Sequence, residues 1–507
     1  MAVVALPPLL AKRHGSHARR VNGGGGGAAI PGPRGWPLLG SLPAVSGPLM
    51  HRRLAALAEA DAHRGARRLM SLTLGATPVV VSSHPDTARE ILAGAAFRDR
   101  PVRAAARELM FLRAVGFAPA SDGDGDGGAY WRRLRRAAGA GMLSPRRAAA
   151  LAALRARVAR RTSEAVSRGM AGPPGRVAMR ALLHAASLDN MVGSVLGLEH
   201  HGHHGHGTGI ISDMGDMVRE GYELVGKFNL GDYYSTQYQC LWGLLDFHGV
   251  GPRCQRLAAR VREQFGRVME ERRKVSDLHK RDDLLSYMLS MPQEERIEDS
   301  DVIAVLWEMI FRGTDVVAIL LEWAMARMVL HPDIQSKVQE ELDRAVGHRP
   351  MTDSDIPNLC FLHCVIKETL RMHPPGPLLS WARLAVHDTY VGKHLVPAGT
   401  TAMVNMWAIS HDETIWGDPW VFRPERFMEE DINVLGSDLR LAPFGSGRRV
   451  CPGRMMGLST AYLWFGQMLQ EYKWAPAQPV KLTECLRLSM EMKKPLVCHA
   501  VPRSKTS

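Results

Sequence analysis

The chain has 507 residues, 46% of them hydrophobic and 23% charged, so it carries enough apolar material for a large folded core. Its seven cysteines are thinly scattered and follow no visible secretory signal, which argues against a disulfide-stapled secreted protein. The net charge of +13 suggests an acidic partner or a membrane surface. No zinc-finger spacing or RNA-binding motif accompanies the basic runs, so nucleic acid is not expected as a partner.

The N-terminal segment is unlike the rest of the chain. Residues 2–10, "AVVALPPLL", are apolar but interrupted by prolines, and a bilayer-spanning helix needs about 20 apolar residues. No acidic residue precedes Glu59, a bias that faintly resembles an organellar transit peptide. A glycine run at residues 23–27 leads into the proline-bearing stretch "IPGPRGWP". We predict that residues 1–29 are a disordered extension and linker, and that the folded body begins at residue 30.

The first half of the body predicts one hairpin followed by many helices. Residues 67–83 alternate and are rich in β-branched side chains, which indicates a β-hairpin, and residues 84–93 predict a short helix. Residues 121–128, "SDGDGDGG", predict a loop and residues 129–143 a helix. Helical periodicity continues from about residue 145 to residue 341. The histidine-rich run after Leu198 could be a metal site, but a low-complexity loop is the simpler interpretation.

The second half predicts a central helix and a small β portion. Residues 300–330 are apolar on all sides, which is typical of a helix buried at the centre of a large protein. Residues 387–410 predict strands and turns, and residues 488–502 a terminal hairpin. The fold class predicted from the sequence is mainly α, with a smaller β portion assembled from both ends of the chain.

One cysteine, Cys451, lies among glycines and arginines in residues 442–454, "APFGSGRRVCPGR". It could be a buried structural thiol, half of a disulfide, or a thiolate that faces a metal. A helix is predicted directly after it, and the positive end of a helix favours a thiolate. Neighbouring arginines could hold anionic groups of a cofactor. A haem thiolate ligand accounts for the cysteine, the arginines and the glycines together.

Residues 444–453, "FGSGRRVCPG", resemble the haem-binding loop F-x-x-G-x-R-x-C-x-G of the cytochrome P-450 monooxygenases at every fixed position. The resemblance extends from about residue 30 to the end and implies that residues 30–507 form a single domain of this family. The haem b would then lie between the central helix and the cysteine loop, with Cys451 as the axial ligand of the iron. The implied cofactor-binding residues in the loop are Phe444, Gly447, Arg449, Cys451 and Gly453.

Other segments resemble the family in the expected order. "WRRLR" resembles the helix that contacts the haem propionates, which implies that Trp131 and Arg135 bind them, and Arg383 matches a further propionate arginine. "KETLR" and "FRPERF" imply a structural ion-pair network whose members are Glu368, Arg371 and Arg426. The E-x-x-R spacing alone is weak evidence, because two other helical pairs share it, Glu270 with Arg273 and Glu341 with Arg344.

The central helix departs from the family pattern. The family pattern is [A/G]-G-x-[D/E]-T-[T/S], and residues 312–317 read "RGTDVV". The resemblance implies a catalytic region formed by Thr314, Asp315 and Val316. The acid is present as Asp315, but Val316 lacks the hydroxyl that helps deliver protons in the family.

Two segments, residues 311–335 and 437–469, resemble the plant subfamily that contains the plastochron and giant-embryo growth regulators. The resemblance implies a monooxygenase that uses molecular oxygen to hydroxylate a small apolar substrate, such as a fatty acid or a lipid-derived growth signal. Electrons would come from NADPH through an NADPH-cytochrome reductase docked at the basic helix around Arg132, Arg133 and Arg136. The expected location is the cytosolic face of the endoplasmic reticulum, in contact with the membrane surface.

Two alternatives remain open at this stage. Some family members rearrange hydroperoxides without external electrons, and they need no alcohol on the central helix. The chain could also bind haem without turnover and act as a sensor or scaffold, because Val316 puts efficient oxygen activation in doubt. Formation of a product that depends on NADPH would separate the monooxygenase from both.

Overall fold

The computed structural model describes residues 28–503 except 64, 112–113, 121–126, 174, 200–206, 228, 235–245, 247–248 and 380–381. The predicted disordered extension, the loop at 121–126 and the histidine-rich run lie outside the described residues. Those expectations therefore stay predictions.

The described part is mostly helical, with short strands near its two ends. The helices are α1 Leu42–Val45, α2 Met50–Glu59, α3 Pro85–Ala93, α4 Ala104–Leu109, α5 Gly127–Ala138, α6 Pro145–Ala150, α7 Ala152–Ala171, α8 Met179–Leu196, α9 Gly207–Gly226, α10 Val250–Arg273, α11 Leu284–Leu289, α12 Asp299–Leu330, α13 Pro332–Ala345, α14 Cys360–Met372, α15 Met406–Ser410, α16 Arg426–Glu429 and α17 Arg454–Glu471. The strands are β1 Met70–Leu74, β2 Thr77–Ser82, β3 Val177–Ala178, β4 Arg383–Leu384, β5 Thr389–Val391, β6 His394–Val396, β7 Thr401–Val404, β8 Tyr472–Pro476, β9 Glu484–Leu486, β10 Met490–Met492 and β11 Val497–Pro502.

The central helix α12 passes through the middle of the core, as its apolar sequence predicts. Trp307 and Trp323 are fully buried in it, and its neighbours include α8, α14 and α17. Asp299 and Asp301 lie in its first turn, where their negative charges stabilise the positive end of the helix dipole. The helix ends at Leu330, and Pro332 begins the next helix. The prediction of a buried central helix is confirmed.

The main sheet joins distant parts of the chain. β1 and β2 form the predicted antiparallel hairpin, and β2 pairs in parallel with β7, with Val80 opposite Ala402. β4 completes the strand order β1-β2-β7-β4. The prediction of a small β portion that uses both ends of the chain is confirmed.

The predicted terminal hairpin is wrong. β10 pairs with β9, whereas β11 pairs with β8 and β3. β11 pairs with β8 over five residues, from Cys498 opposite Pro476 to Pro502 opposite Tyr472. β10 has only three residues and could not pair over that length. Across the described ranges we find no helix with the length and apolarity needed to cross a membrane.

Candidate active site

A cavity of about 270 Å³ lies between α12 and the loop that carries Cys451. Its other walls come from α8, from the start of α17 and from the chain around Gly116. Both apolar side chains and arginines line this cavity, so it has an apolar part and a strongly basic part.

The cysteine loop is held in a fixed shape. The backbone N–H of Cys451 donates to the carbonyl oxygen of Phe444 at 2.9 Å. Gly447 has φ +69°, and a Cβ there would lie against the carbonyl oxygen of Leu92, so only glycine fits. Gly453 precedes the first residue of α17, which places Cys451 just before a helix N-terminus.

All six cysteines in the described ranges are free, and among them Cys451 is the one that lines the cavity. The disulfide interpretation therefore does not hold for the described residues. The expectation that the helix end would favour a thiolate is also incomplete. Burial raises the pKa of the Cys451 thiol and outweighs the opposing N–H of Gly453 and the charges of Arg312, Arg135 and Arg454. A bound cation would supply the charge that keeps the sulfur deprotonated.

Arg449 is held in place by three backbone carbonyls beside the cavity. It donates to the carbonyl oxygens of Arg98, Val115 and Ala118, at 2.9, 3.1 and 2.6 Å. Its guanidinium lies 4.7 Å from the centre of the Trp131 ring.

Trp131 supports this arrangement from behind the cavity wall. Its indole N–H donates to the carbonyl oxygen of Val115 at 3.0 Å, and the side chain is buried. Arg135 stacks on the same ring at 5.5 Å and donates to the carbonyl oxygen of Val450 at 2.7 Å. The structure therefore brings Trp131, Arg135 and Arg449 together next to the cysteine loop.

Several arginines, among them Arg100, Arg383 and Arg449, line the same cavity. Burial, together with neighbouring arginines, lowers the pKa of Arg383 to about 9, and burial lowers that of Arg449 to about 10. Arg100 has a pKa well below its usual range for the same reasons, and its Nε has no hydrogen-bond partner. Crowded buried cations of this kind are stabilised by an anionic group. The residues present therefore fit a flat cofactor with carboxylates at its edge.

Arg100 and Arg312 also line the cavity, and our reading of the sequence did not single them out. Arg100 belongs to the short stretch "FRDRP", and Arg312 takes the first position of the central-helix motif, where the family has alanine or glycine. The occurrence of arginine at that small-residue position was a signal that could have been used.

The predicted catalytic residues of α12 face different directions. Val316 lines the cavity. The Thr314 hydroxyl donates to the carbonyl oxygen of Ile310 at 2.7 Å, inside its own helix. Asp315 lies 3.4 Å from Nε2 of His184 on α8. Burial, with a contribution from the charge of Glu491, raises the pKa of Asp315 to about 7, while the hydroxyl of Ser489 opposes the shift.

Away from the cavity, the structure brings Glu368, Arg371 and Arg426 together. Glu368 and Arg371 have no exposed surface, and Arg426 is 6% exposed. The two pairs with the same spacing do not form such a network. Arg273 binds the exposed Asp299, and Glu341 accepts hydrogen bonds from the backbone N–H groups of Phe361 and Leu362.

A mostly helical fold with a cavity thiol opposite a long buried helix, and with a rim of buried arginines, defines the class of haem-thiolate proteins. Residues 30–499 match the family model described as Cytochrome P450, and the chain belongs to the cytochrome P450 family. This family and the relatives below support a monooxygenase whose cofactor is haem iron held by a cysteine thiolate, and NADPH acting through a reductase is the standard arrangement in the family. The predicted enzyme class and cofactor are confirmed.

The curated relatives are plant proteins. The chain is similar to Cytochrome P450 78A5 from Arabidopsis thaliana, 47% identical over 485 residues that cover 94% of this chain and 89% of the relative. Cytochrome P450 78A1 from Zea mays is 47% identical over 455 residues, 87% of this chain and 80% of that protein. Flavonoid 3'-monooxygenase from Oryza sativa subsp. japonica is 34% identical over 547 residues, which cover 99% and 98% of the two chains. The predicted likeness to the plastochron and giant-embryo subfamily is confirmed.

Proposed function

We propose that this monooxygenase hydroxylates a small apolar substrate, a fatty acid or a lipid-derived growth signal being the leading candidates. The observation that carries the proposal is the apolar wall of α12, where Met309, Val316, Val317 and Leu320 line the cavity on the side opposite Cys451. Such a wall binds aliphatic groups by burial and excludes water from them.

Cys451 would bind the haem iron, and Arg135, Arg383 and Arg449 would hold the carboxylates of the haem. Phe444, Gly447 and Gly453 fix the shape of the loop that presents the sulfur. When bound, the haem supplies the oxygen-activating chemistry, which an axial thiolate promotes. The protein binds and orients the substrate, excludes bulk water and delivers protons.

Asp315, the neighbour of the cavity-lining Val316, is the proposed proton donor and acceptor. It is 9% exposed, and burial raises its pKa to about 7, so it can both bind and release a proton near neutral pH. We propose that protons enter the site through Asp315.

An acidic flavoprotein reductase is the proposed electron donor. Arg132, Arg133 and Arg136 are exposed on α5, the helix whose Arg135 contacts the cysteine loop. A reductase bound to these arginines would lie on the Cys451 side of the molecule, where the electron path is short.

The cytosolic face of the endoplasmic reticulum is the proposed location. Trp36, Leu38 and Leu39 are exposed together near the first described residues. An exposed group of large apolar side chains on a protein with a net charge of +13 suits contact with an anionic membrane surface.

A second candidate function is haem binding with impaired or no oxygenase chemistry. The observation that favours it is the position of Val316, which lines the cavity without a hydroxyl. The two functions differ in product formation.

The deciding experiment combines binding and turnover. A panel of fatty acids and other lipids is titrated into the haem-loaded protein, and displacement of water from the iron is followed in the absorption difference spectrum. Lipids that bind are then incubated with NADPH and a plant NADPH-cytochrome reductase, with reductase omitted from the control. Hydroxylated product that requires NADPH and reductase supports the proposed function. Binding spectra without any product would support the second candidate.

A further inference from the structure

Helix α8 lies directly against the part of α12 that borders the cavity. A Cβ at Gly313 would overlap the side chain of Met191, so the two helices approach as closely as a glycine allows. At this contact the Ser187 hydroxyl, which is 2% exposed, donates to the carbonyl oxygen of Gly313 at 3.4 Å. Ser187 also lines the cavity.

The position of Ser187 matters because of Val316. A threonine at 316 would donate to the carbonyl oxygen four residues earlier, at Arg312, as Thr314 does to Ile310. With valine at 316, no side-chain hydroxyl comes from that position to the carbonyl oxygen of Arg312. Ser187 reaches the adjacent carbonyl, at Gly313, from the neighbouring helix.

A second polar group of α8 lies one turn further along. Asn190 is 3% exposed and lines the cavity, and its Oδ1 has no hydrogen-bond partner. Residues three apart on a helix are neighbours, so Asn190 lies next to Ser187. The Ser187 hydroxyl, the Gly313 carbonyl and the Asn190 amide give an ordered water the polar partners that it needs.

The same face of α8 continues toward the buried acid. His184 lies one turn before Ser187, and its Nε2 is 3.4 Å from Oδ1 of Asp315. Burial and two nearby arginines lower the pKa of His184 to about 4, so this ring is neutral at pH 7. The row His184, Ser187 and Asn190 therefore runs along α12 from Asp315 to the cavity.

We infer that Ser187 supplies from α8 the hydroxyl that position 316 lacks, and that it passes protons from Asp315 into the cavity. This inference rests on the proposed oxygenase function and names further residues for it. Each proton that Ser187 gives up toward the cavity is replaced by one from Asp315, and Asp315 regains its proton from solvent, so both groups are unchanged after a turnover. Productive turnover converts substrate, dioxygen, NADPH and one proton into hydroxylated substrate, water and NADP⁺. When proton delivery fails, the same two electrons leave as hydrogen peroxide: O₂ + NADPH + H⁺ gives H₂O₂ + NADP⁺.

The first test compares two buried serines of the same helix. Ser187→Ala removes the hydroxyl, and Ser194→Ala is the matched control, because Ser194 is also fully buried on α8 but does not line the cavity. The ratio of peroxide to product per NADPH should rise on the order of tenfold in Ser187→Ala. That is less than the 10²–10⁴ of a strictly required donor, because water can partly replace a hydroxyl. Ser187→Thr keeps the hydroxyl and should retain the native ratio. The inference is overturned if Ser187→Ala behaves like Ser194→Ala, or if Ser187→Thr is uncoupled as strongly as Ser187→Ala.

The second test needs no turnover. The C–O stretching frequency of the reduced carbon monoxide complex responds to hydrogen-bond donors in the cavity, and infrared spectra should show a shift in Ser187→Ala but none in Ser194→Ala. An unchanged frequency in both would show that the hydroxyl is not directed at the cavity. If the native protein hydroxylates no lipid at all, the proposed function fails, while this frequency and the peroxide formed per NADPH still decide on Ser187.

The third test moves the hydroxyl from position 187 on α8 to position 316 on α12. Val316→Thr combined with Ser187→Ala should restore coupling, because the hydroxyl returns to the same space from α12. Val316→Thr alone should improve the native enzyme by less than about twofold, since Ser187 already acts there. This single variant also decides the matter if Ser187→Ala does not load haem. A large gain from Val316→Thr in the native background would show that Ser187 does not fill the role.

Discussion

Arg371 is joined to Glu368 by two parallel hydrogen bonds, Nε to Oε2 and Nη2 to Oε1, each 2.8 Å long, and neither side chain is exposed. Arg426 adds a third bond, at 3.2 Å, to Oε1 of the same carboxylate. Arg371 also donates to the carbonyl oxygen of Ser410 at 2.8 Å. These contacts connect α14 and α16 to α15. A buried pair in this geometry holds three elements in place because neither charge can be satisfied elsewhere.

Replacing Arg371 with alanine should lower the free energy of unfolding by roughly 3–5 kcal/mol, because the carboxylate of Glu368 is left buried with fewer partners. Chemical denaturation and the haem content of the purified protein measure the effect. Arg273→Ala is the matched control, since Arg273 has the same spacing from a glutamate but binds the exposed Asp299. Its cost should stay within about 1 kcal/mol. A fully haem-loaded Arg371→Ala protein of native stability would contradict the prediction.

Replacing Cys451 with alanine should abolish the red-shifted absorption band of the reduced carbon monoxide complex, because that band requires a thiolate on the iron. Cys360→Ala is the control, since Cys360 is exposed at the start of α14 and does not line the cavity. The control should keep the band at native height. Retention of the band by Cys451→Ala would assign the ligand to another residue.

The parts of the site that could be predicted from the sequence are those whose geometry is local. The loop from Phe444 to Gly453 carries its ligand, its turns and its arginine within ten consecutive residues, so its shape follows from its own sequence. The hairpin of β1 and β2 is local as well. The pairing of β11 with β8 is not, because it depends on which edge strand offers the longer register once the chain has folded.

Residues whose role depends on two distant elements escaped prediction. Ser187 is an ordinary serine in a helical pattern. Its hydroxyl reaches the carbonyl oxygen of Gly313 only because α8 packs against α12 there. Arg100 gains its role from a cavity that Arg383 and Arg449, from a distant part of the chain, also line. Trp131 stays a predicted cofactor residue, and the bond from its indole N–H to the carbonyl oxygen of Val115 could not be read from the sequence. Side-chain direction at such positions is set by tertiary contacts that no local pattern records.

Arg383 and Arg449 should fail in different ways when each is replaced by glutamine. Arg449 satisfies three backbone carbonyls, so Arg449→Gln should destabilise the protein even without haem, by about 1–3 kcal/mol for each carbonyl left buried without a donor. Arg383 donates one bond of 3.3 Å, to the carbonyl oxygen of Ser446, so Arg383→Gln should fold normally but lose haem faster. Thermal unfolding of the haem-free proteins and the rate of haem transfer to apomyoglobin separate the two effects. Equal haem-loss rates in Arg383→Gln and the native protein would exclude Arg383 from the haem contacts.

The burial of Asp315 predicts a pH dependence of stability with a definite sign. Burial and, after it, the charge of Glu491 raise its pKa from 3.8 to about 7, against the opposing effects of Ser489, Arg312 and Arg180. The folded state therefore holds this proton more tightly than the unfolded state. Between about pH 4 and pH 7 the unfolded chain has lost the proton and the folded protein keeps it, so the free energy of unfolding falls as the pH rises through this range.

Asp315→Asn should remove that loss, because the amide carries no charge at any pH. Because Asp315 is about half titrated at pH 7, the native protein should lose about 2 kcal/mol between pH 5 and pH 7 through this group, and the variant should not. Urea unfolding of both haem-loaded proteins at pH 5, 6, 7 and 8 measures the difference. Asp343→Asn, which removes a surface carboxylate beside Arg503, is the control. Stability curves of Asp315→Asn and the native protein that run parallel across this range would mean that Asp315 titrates as an ordinary exposed carboxylate. It could then not hold a proton at neutral pH for delivery to the cavity.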